Sequence, residues 1–358
     1  MTMFKRYVPI VAMALIGIGI QLGVTAAGKV FYLTQLTMSA YYTLVVIGLC
    51  LLMGYAGQIS LGHAGFFAIG AYCSAALTTA DCSGVRQHAA GRLLSKIGGF
   101  VVSKDLYGDE LVRLNPWIAC VAALLLTAVI AYFIGIPVLR LKGHYLAMAT
   151  LGFGSIISKI IVGSSFLGGA DGISGVPAFP LVPGVSVNGD MNARIPNFYI
   201  AWGLMLLFAL LMSNLVHSRV GRALRSIHGN EEAAATMGVD TARYKLNLFV
   251  ISAMIAAIAG IFLTHYNGGV GPSEAAIMKS VRYVAIVAVG GMANLWGAIL
   301  TSMVLNFLSL RGYFGSYDDA VFGLILVGMM LFAPHGILVK KDWRFLFQKP
   351  VNGKNDSV

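Results

Sequence analysis

Long apolar stretches alternate with short polar segments along almost the whole chain. A helix that crosses about 30 Å of hydrocarbon at about 1.5 Å per residue needs roughly 20 apolar residues. Backbone polar groups in lipid must be satisfied within their own segment, so these stretches are predicted to be helices. The predicted spans are 7–24, 30–53, 60–80, 116–139, 143–163, 198–216, 246–266, 281–295, 296–310 and 320–339. The pattern therefore predicts an all-α, polytopic membrane protein of about ten transmembrane helices, with 1–358 as a single transmembrane domain.

Composition supports a membrane protein. Of the 358 residues, 58% are hydrophobic and 11% are charged, whereas a soluble domain usually has about 25% charged residues. One soluble core could not bury so much apolar surface. The first stretch has a second interpretation, because Lys5 and Arg6, an apolar core and small residues at 24–26 are also typical of a cleaved signal peptide. We favour a retained helix, since the rest of the chain is predicted to lie in the membrane.

Basic residues predict the orientation. With about ten crossings, four basic clusters fall on one face of the membrane, which the positive-inside rule makes cytoplasmic. The N- and C-termini are then also cytoplasmic. The net charge of +11 reflects this topology and contacts with lipid headgroups. No basic stripe is interleaved with aromatic residues, so nucleic-acid binding is not expected. The clusters are Lys5, Arg6, Arg140, Lys142, Arg219, Arg222, Arg225, Lys340, Lys341 and Arg344.

Two long segments are predicted on the outer face, at 81–115 and 164–196. The second is rich in Gly and Pro, so we expect turns rather than helix there. An ordered loop of this length is usually functional, and docking of a partner is one hypothesis.

The longest predicted cytoplasmic segment is 217–245. Apolar residues recur at helical spacing from Val220 to Ile227. Gly229 and Asn230 interrupt the pattern, and Glu231 then begins a second short helix, where acidic side chains suit the N-terminal dipole. The pattern predicts a helix–turn–helix. The residues leave two interpretations open: a surface hairpin against headgroups, or a docking element that carries motion into the spans.

One nucleotide-binding pattern is incomplete. The stretch GVTAAGKV at 23–30 resembles the beginning of a phosphate-binding loop, but Val30 stands where Ser or Thr would bind Mg²⁺. The stretch also joins two predicted helices, whereas the loop requires a preceding strand. We therefore expect no ATP hydrolysis by this chain and predict no catalytic or metal-binding residues.

Two uncharged, Gly-rich interruptions, near 54–63 and 290–296, are typical of broken or re-entrant helices beside a transport pathway. The alternative is tight helix packing, with polar side chains capping freed backbone groups. For His63, a satisfied buried histidine is favoured over a proton relay. Few ionisable residues interrupt the spans, which argues against an ion-driven carrier. The candidate pathway residues are Gly57, Gln58, Ser60, Gly62, His63, Gly290, Gly291 and Asn294.

Several motifs carry a family resemblance. EAAATMG at 232–238 resembles the EAA signature of ABC importer permeases. The stretches GYAGQISLGHAGFFAIGAY, LRLKGHYLAMATLGFG, GGADGISGVPAF and VAVGGMANLWGAIL are similar to stretches of branched-chain amino-acid permeases, in the same order along most of the chain. The chain thus resembles the LivM-type permeases of branched-chain amino-acid ABC importers.

The resemblance implies a type II ABC importer-like fold in the bacterial inner membrane and import of leucine, isoleucine and valine by alternating access. It implies a second permease of the LivH type, two cytoplasmic ATPase subunits that bind ATP and Mg, and a periplasmic amino-acid-binding protein. This chain itself would bind no cofactor. Alternatives are a urea or short-chain amide permease of the same superfamily and, from another class, a passive channel. The residues implied to couple to the ATPase are Arg219, Arg222, Arg225, Glu231, Glu232, Ala233, Ala234 and Gly238.

Overall fold

The computed structural model describes residues 3–81, 99–104, 110–182 and 184–332. These residues are mostly helical. The C-terminal basic cluster, the C-terminus and most of segment 81–115 lie outside them. The α-helices are α1 (Met3–Ala26), α2 (Tyr32–Ala56), α3 (His63–Thr79), α4 (Pro116–Val138), α5 (His144–Gly163), α6 (Arg194–His217), α7 (Arg219–Gly229), α8 (Glu231–Thr236), α9 (Thr241–Asn267), α10 (Ile277–Gly290), α11 (Leu295–Leu310) and α12 (Asp318–Phe332).

Within the described residues, six helices are long and apolar enough to cross a membrane, namely α1, α2, α4, α5, α6 and α9. The chain is therefore a polytopic membrane protein. The other four predicted spans correspond to shorter helices: α3 has 17 residues, α10 has 14, α11 has 16 and α12 has 15 described residues. A full crossing needs about 20 residues, so these lengths do not confirm ten crossings. The predicted end of the last span, at 339, lies outside the described residues.

Helix α2 forms the centre of the bundle. Almost all of its residues from Leu36 to Ala56 are buried, and it packs against α6, α9 and α11. Helix α4 lies at the periphery, where Leu125 and Phe133 are more than 60% exposed. A helix that is apolar on every face, with one side uncovered by protein, is what a lipid environment predicts.

Small residues set the distance between α3 and α9. A Cβ on Gly70 would lie 2.5 Å from the Ala257 carbonyl oxygen, and one on Gly260 would overlap the Phe67 carbonyl. Close backbone approach through glycine is common between membrane helices. This contact holds the beginning of α3 against the middle of α9.

Among the described residues, three short antiparallel strand pairs lie in the connections. Strands β1 (Phe100–Lys104) and β2 (Glu110–Leu114) pair within 81–115. Segment 164–196 contains β3 (Ile173–Ser174), β4 (Phe179–Val182) and β5 (Val185–Val187) among turns, and β4 pairs with β5. Strand β3 pairs with β6 (Gly269–Val270), which follows α9. The sequence prediction of turns is wrong at the end of this segment, because α6 already begins at Arg194.

The phosphate-loop-like stretch at 23–30 begins inside a helix. Residues 23–26 belong to the last turn of α1, and Gly28 follows in a turn with φ of 67°. No strand precedes it within the described residues, so the backbone does not have the strand–loop–helix arrangement that cradles phosphates.

Candidate coupling and translocation sites

The segment between α6 and α9 is a helix–turn–helix, which confirms the shape predicted from the sequence. The Ser218 side chain caps α7 by accepting hydrogen bonds from the backbone N–H groups of Val220 and Gly221. Asn230 caps α8 in the same way, at 3.0 Å from the N–H groups of Glu232 and Ala233. Caps of this kind satisfy donors that a helix leaves unpaired at its N-terminus. The two short helices, here called the coupling hairpin (residues 219–238), are therefore defined by local sequence.

One side of the coupling hairpin is buried against the bundle. Leu224 and Ile227 are 1% and 4% exposed, and Ala234 is also buried. Val220 was expected in this apolar stripe, but it is 41% exposed. The reason is that Gly221 lies directly against the backbone of residues 215–216 at the end of α6. In the first turn of α7, Gly221 is therefore the residue that packs on α6, and Val220 points away from this contact. The exposed side carries Arg219, Arg222, Glu232, Ala233, Met237 and Gly238.

Charged residues of the coupling hairpin differ in their contacts. Arg225 is occupied within the chain, since its Nη2 donates to the Val216 carbonyl at 2.6 Å at the end of α6. Glu231 Oε2 lies 2.5 Å from Lys245 Nζ, which fastens α8 to the first turns of α9. Glu232 lies 3.8 Å from Lys142, and both side chains are largely exposed. Arg225 and Glu231 therefore hold the hairpin to the bundle, whereas Glu232 faces outward.

A polar cavity of about 460 Å³ is lined by the coupling hairpin, by the α2–α3 and α4–α5 connections and by Lys245 of α9. Gln58 is 3% exposed and lines this cavity. Both atoms of its side-chain amide are buried without a hydrogen-bond partner among the described residues. The rest of the lining includes six charged or polar residues, namely Lys142, His228, Asn230, Glu231, Glu232 and Lys245.

The α2–α3 connection runs back into the bundle. Gly57 ends α2 with φ of 67°, and a Cβ there would lie 2.6 Å from His228 Nδ1 of the coupling hairpin. His63 begins α3 with its Nε2 2.7 Å from Ser252 Oγ, and a Cβ on Gly48 would lie 3.0 Å from the same oxygen. Gly48 lies eight residues before the end of α2, or roughly 12 Å along it. The connection therefore reaches roughly 12 Å back along α2 before α3 begins. Helix α3 then runs to the other end of the bundle, where Ser74 Oγ lies 2.9 Å from His265 Nε2, so it is a short helix preceded by a non-helical segment.

Polar groups of this connection are satisfied inside the protein. His63 Nδ1 lies 3.1 Å from Ser60 Oγ, so both ring nitrogens have partners. The Leu61 N–H donates to Thr150 Oγ1 at 2.9 Å. Gly62 lies against the Thr150 carbonyl, where a Cβ would be 2.7 Å from the oxygen. These contacts agree with the packing interpretation for Ser60, Gly62 and His63.

The second interruption forms a tight turn between α10 and α11. Gly290 packs directly on α11, and Gly291 has φ of 93°. Asn294 caps α11 by accepting from the Gly297 N–H at 3.2 Å. The turn is fixed to α2, because Tyr55 donates to the Ala293 carbonyl at 2.9 Å.

Both interruptions lie beside the last turns of α2. A Cβ on Gly54 would overlap the Met292 carbonyl, while Gly57 contacts the coupling hairpin. The structure thus brings the candidate pathway segments to one end of one helix. Among the eight candidate pathway residues, all within the described part of the chain, Gln58 alone has a buried polar side chain without a hydrogen-bond partner. The transport roles of all eight residues remain predictions.

The chain matches the family described as "Branched-chain amino acid transport system / permease component" over residues 31–334. The match covers most of the chain. The chain belongs to this family. It is a permease component and not itself an enzyme, as the sequence predicted.

Individual relatives of this permease agree with the family match. The chain is 30% identical to the high-affinity branched-chain amino acid transport system permease protein LivM of Salmonella typhimurium, over 84% of this chain and 68% of that protein. It is 25% identical to LivH of Escherichia coli, over 86% and 94%. It is 26% identical to BraD of Pseudomonas aeruginosa, over 87% and 97%. No solved structure matches.

Sequence reasoning missed a charged group inside the permease. Glu274 and Lys279 form an ion pair at 3.1 Å beside Tyr42 of α2, and Arg282 pairs with Asp318 at the beginning of α12. The predicted span began at 281, which placed Glu274 and Lys279 in a connection. In the structure α10 already begins at Ile277, so Lys279 lies in its first turn, while Glu274 does lie in the connection before it. The absence of Gly and Pro from residue 277 to residue 289 was the sequence signal that could have extended the helix back to include Lys279.

Proposed function

We propose that this permease is one of two homologous membrane subunits of an ATP-driven importer for leucine, isoleucine and valine. The family membership supports transport of branched-chain amino acids, and similarity to both LivM and LivH supports a pair of permeases. A type II importer-like fold, about ten crossings with both termini in the cytoplasm, and location in the bacterial inner membrane belong to the same proposal.

One observation carries the coupling part of the proposal: a hairpin with an apolar buried side and an exposed polar side. Its EAAATMG stretch provides α8 and the turn that follows. We infer that two ATPase subunits, which bind ATP and Mg, contact the exposed side on this permease and on its partner. A periplasmic binding protein delivers the amino acid at the opposite end. ATPase closure then favours one pore conformation over the other, which gives alternating access.

The pathway residues keep the role proposed from the sequence, with unequal support. Gln58 is favoured, because its unpaired amide lines the cavity beside the coupling hairpin. Ser60, His63 and Asn294 have partners within the chain, and the glycines at 57, 62, 290 and 291 permit close packing. These residues would shape the pathway more than contact the solute.

Reconstitution tests the proposal. Proteoliposomes are prepared with five components: the permease, its sister permease, the two ATPases and the binding protein. Uptake of labelled leucine, isoleucine, valine and urea is then measured with and without ATP. We expect ATP-dependent uptake of the three amino acids. ATP-independent uptake by the permease alone would support a channel instead, and uptake of urea without leucine would support an amide permease.

A further inference from the structure

A charged cluster lies between α2 and the residues that lead into α10. The Tyr42 hydroxyl donates to Glu274 Oε1 at 2.9 Å. Lys279 Nζ donates to the same oxygen at 3.1 Å and to the Tyr42 oxygen at 3.2 Å. The same Nζ lies 4.6 Å from the centroid of the Tyr42 ring. Tyr72 and Tyr283 both interact electrostatically with Glu274. We call these five residues the Glu274–Lys279 cluster.

The Glu274–Lys279 cluster lies beside a central membrane-spanning helix. Tyr42 is ten residues from the beginning of α2, or roughly 15 Å along it. Ionisable residues at such positions are costly to desolvate and usually mark a functional site. Replacing a buried ion pair with apolar residues is often neutral or stabilising. Fold stability alone therefore gives little reason for Glu274 and Lys279 to be charged.

The cluster has hydrogen-bonding groups that the described residues do not use. Glu274 Oε2 and the hydroxyls of Tyr72 and Tyr283 are buried without a partner. Lys279 has three N–H donors, and the structure assigns two of them to Tyr42 and Glu274. An acceptor that carries negative charge, a cationic donor and two hydroxyls thus lie together.

The cluster lies close to one surface of the subunit. The side chains of Glu274 and Lys279 are 17% and 20% exposed. Ser273, Ile277 and Met278 around them are exposed. The surface next to the cluster therefore exposes the apolar side chains of Ile277 and Met278, while the groups behind it are charged or polar.

We propose that the Glu274–Lys279 cluster binds the α-ammonium and α-carboxylate groups of an amino acid as it passes through the permease. The ammonium pairs with Glu274 Oε2, and the carboxylate accepts from Lys279 Nζ and a tyrosine hydroxyl. Charge-assisted hydrogen bonds of this kind are the strong ones. The neighbouring apolar surface suits an aliphatic side chain. Urea has neither charge, so the cluster favours an α-amino acid as substrate. This inference rests on the proposed function.

The test uses the reconstituted five-component transporter and ATP-dependent uptake of labelled leucine. The main variant is Glu274→Met with Lys279→Met, which removes the ion pair without leaving one charge unpaired. Tyr283→Phe removes one unpartnered hydroxyl of the cluster. Tyr41→Phe is the matched control, because its hydroxyl is also buried without a partner but its ring packs against Phe262. Thermal unfolding of each purified complex is measured in parallel.

We expect uptake by the double variant to fall at least about tenfold, since charge-assisted bonds to the substrate are lost. The thermal unfolding temperature of the double variant should stay close to that of the wild type. Tyr283→Phe should reduce uptake more than Tyr41→Phe. If the double variant does not assemble, Glu274→Gln and Tyr283→Phe supply the comparison. Wild-type uptake in the double variant, or equal effects of the two tyrosine variants, would overturn the inference alone. Absence of leucine uptake by the wild-type complex would overturn the proposed function as well.

Discussion

The buried side of the coupling hairpin predicts how tightly ATP hydrolysis is linked to transport. Leu224 is 1% exposed and belongs to the same apolar cluster as the centre of α2. Replacing a fully buried leucine with alanine costs about 2–5 kcal/mol. At the lower limit the docked population of α7 falls roughly thirtyfold relative to the detached one. The loss is local, because α7 lies at the end of the bundle and adds only two large buried side chains to it.

For Leu224→Ala we therefore expect fewer leucine molecules imported per ATP hydrolysed, with the transmembrane helices still folded. Coupling is measured in proteoliposomes from uptake and phosphate release. Detachment is measured by trypsin cleavage at the arginines of α7, since proteolysis follows local opening. Val220→Ala is the matched control on the same helix, because Val220 is 41% exposed and its truncation should leave both measurements unchanged.

Two results would refute this reasoning. Leu224→Ala could be cleaved faster by trypsin and still import leucine at the wild-type ratio to ATP, which would mean that the docked hairpin does not transmit the motion. Alternatively, Leu224→Ala could resist trypsin as the wild type does, which would mean that the contact between α7 and α2 does not hold the hairpin in place.

Three further variants separate docking, pathway and packing. Glu232→Lys should weaken binding of the ATPase subunits in a pull-down while thermal stability stays unchanged, because its intrachain pair with Lys142 is exposed. Gln58→Leu should raise the thermal unfolding temperature, since a buried amide without a partner costs about 1–3 kcal/mol, and should lower leucine uptake. Gly54→Ala should lower the unfolding temperature and the yield of assembled complex, because its methyl group would overlap the Met292 carbonyl; unchanged values would contradict the packing described here.

The positions of the helices could be predicted from the sequence better than their lengths. Apolar runs locate α2, α4, α5 and α9 within a few residues. The same runs do not reveal where the backbone turns back inside the bundle. Residues 57–62 are all uncharged, so hydropathy extends the third span to residue 60, whereas α3 begins at His63. The difference arises from tertiary contacts with Ser252 and Thr150, which satisfy the free polar groups of this connection.

The coupling hairpin could be predicted because its determinants are local. Ser218, Asn230 and Asp240 each cap the helix that follows, and the apolar spacing of α7 marks its buried side. The Glu274–Lys279 cluster could not be predicted in this way. Its members come from α2, α3, the α9–α10 connection and α10, and no short motif joins them. Hydropathy also assigned the charged residues to a loop, since a charge in a span is normally unfavourable.

The coupling hairpin is linked to the interior of the permease by direct contacts of the α2–α3 connection. Gly57 lies against His228 of α7, where a Cβ would be 2.6 Å from the imidazole Nδ1. At the other end of the α2–α3 connection, His63 is held by Ser252 in the middle of α9. We therefore expect a displacement of α7 by an ATPase to move the beginning of this connection relative to its fixed end. The cavity lined by Gln58 lies at the beginning of this connection, beside the hairpin, so the proposed motion of the hairpin would act on this cavity before it reaches the fixed end at His63.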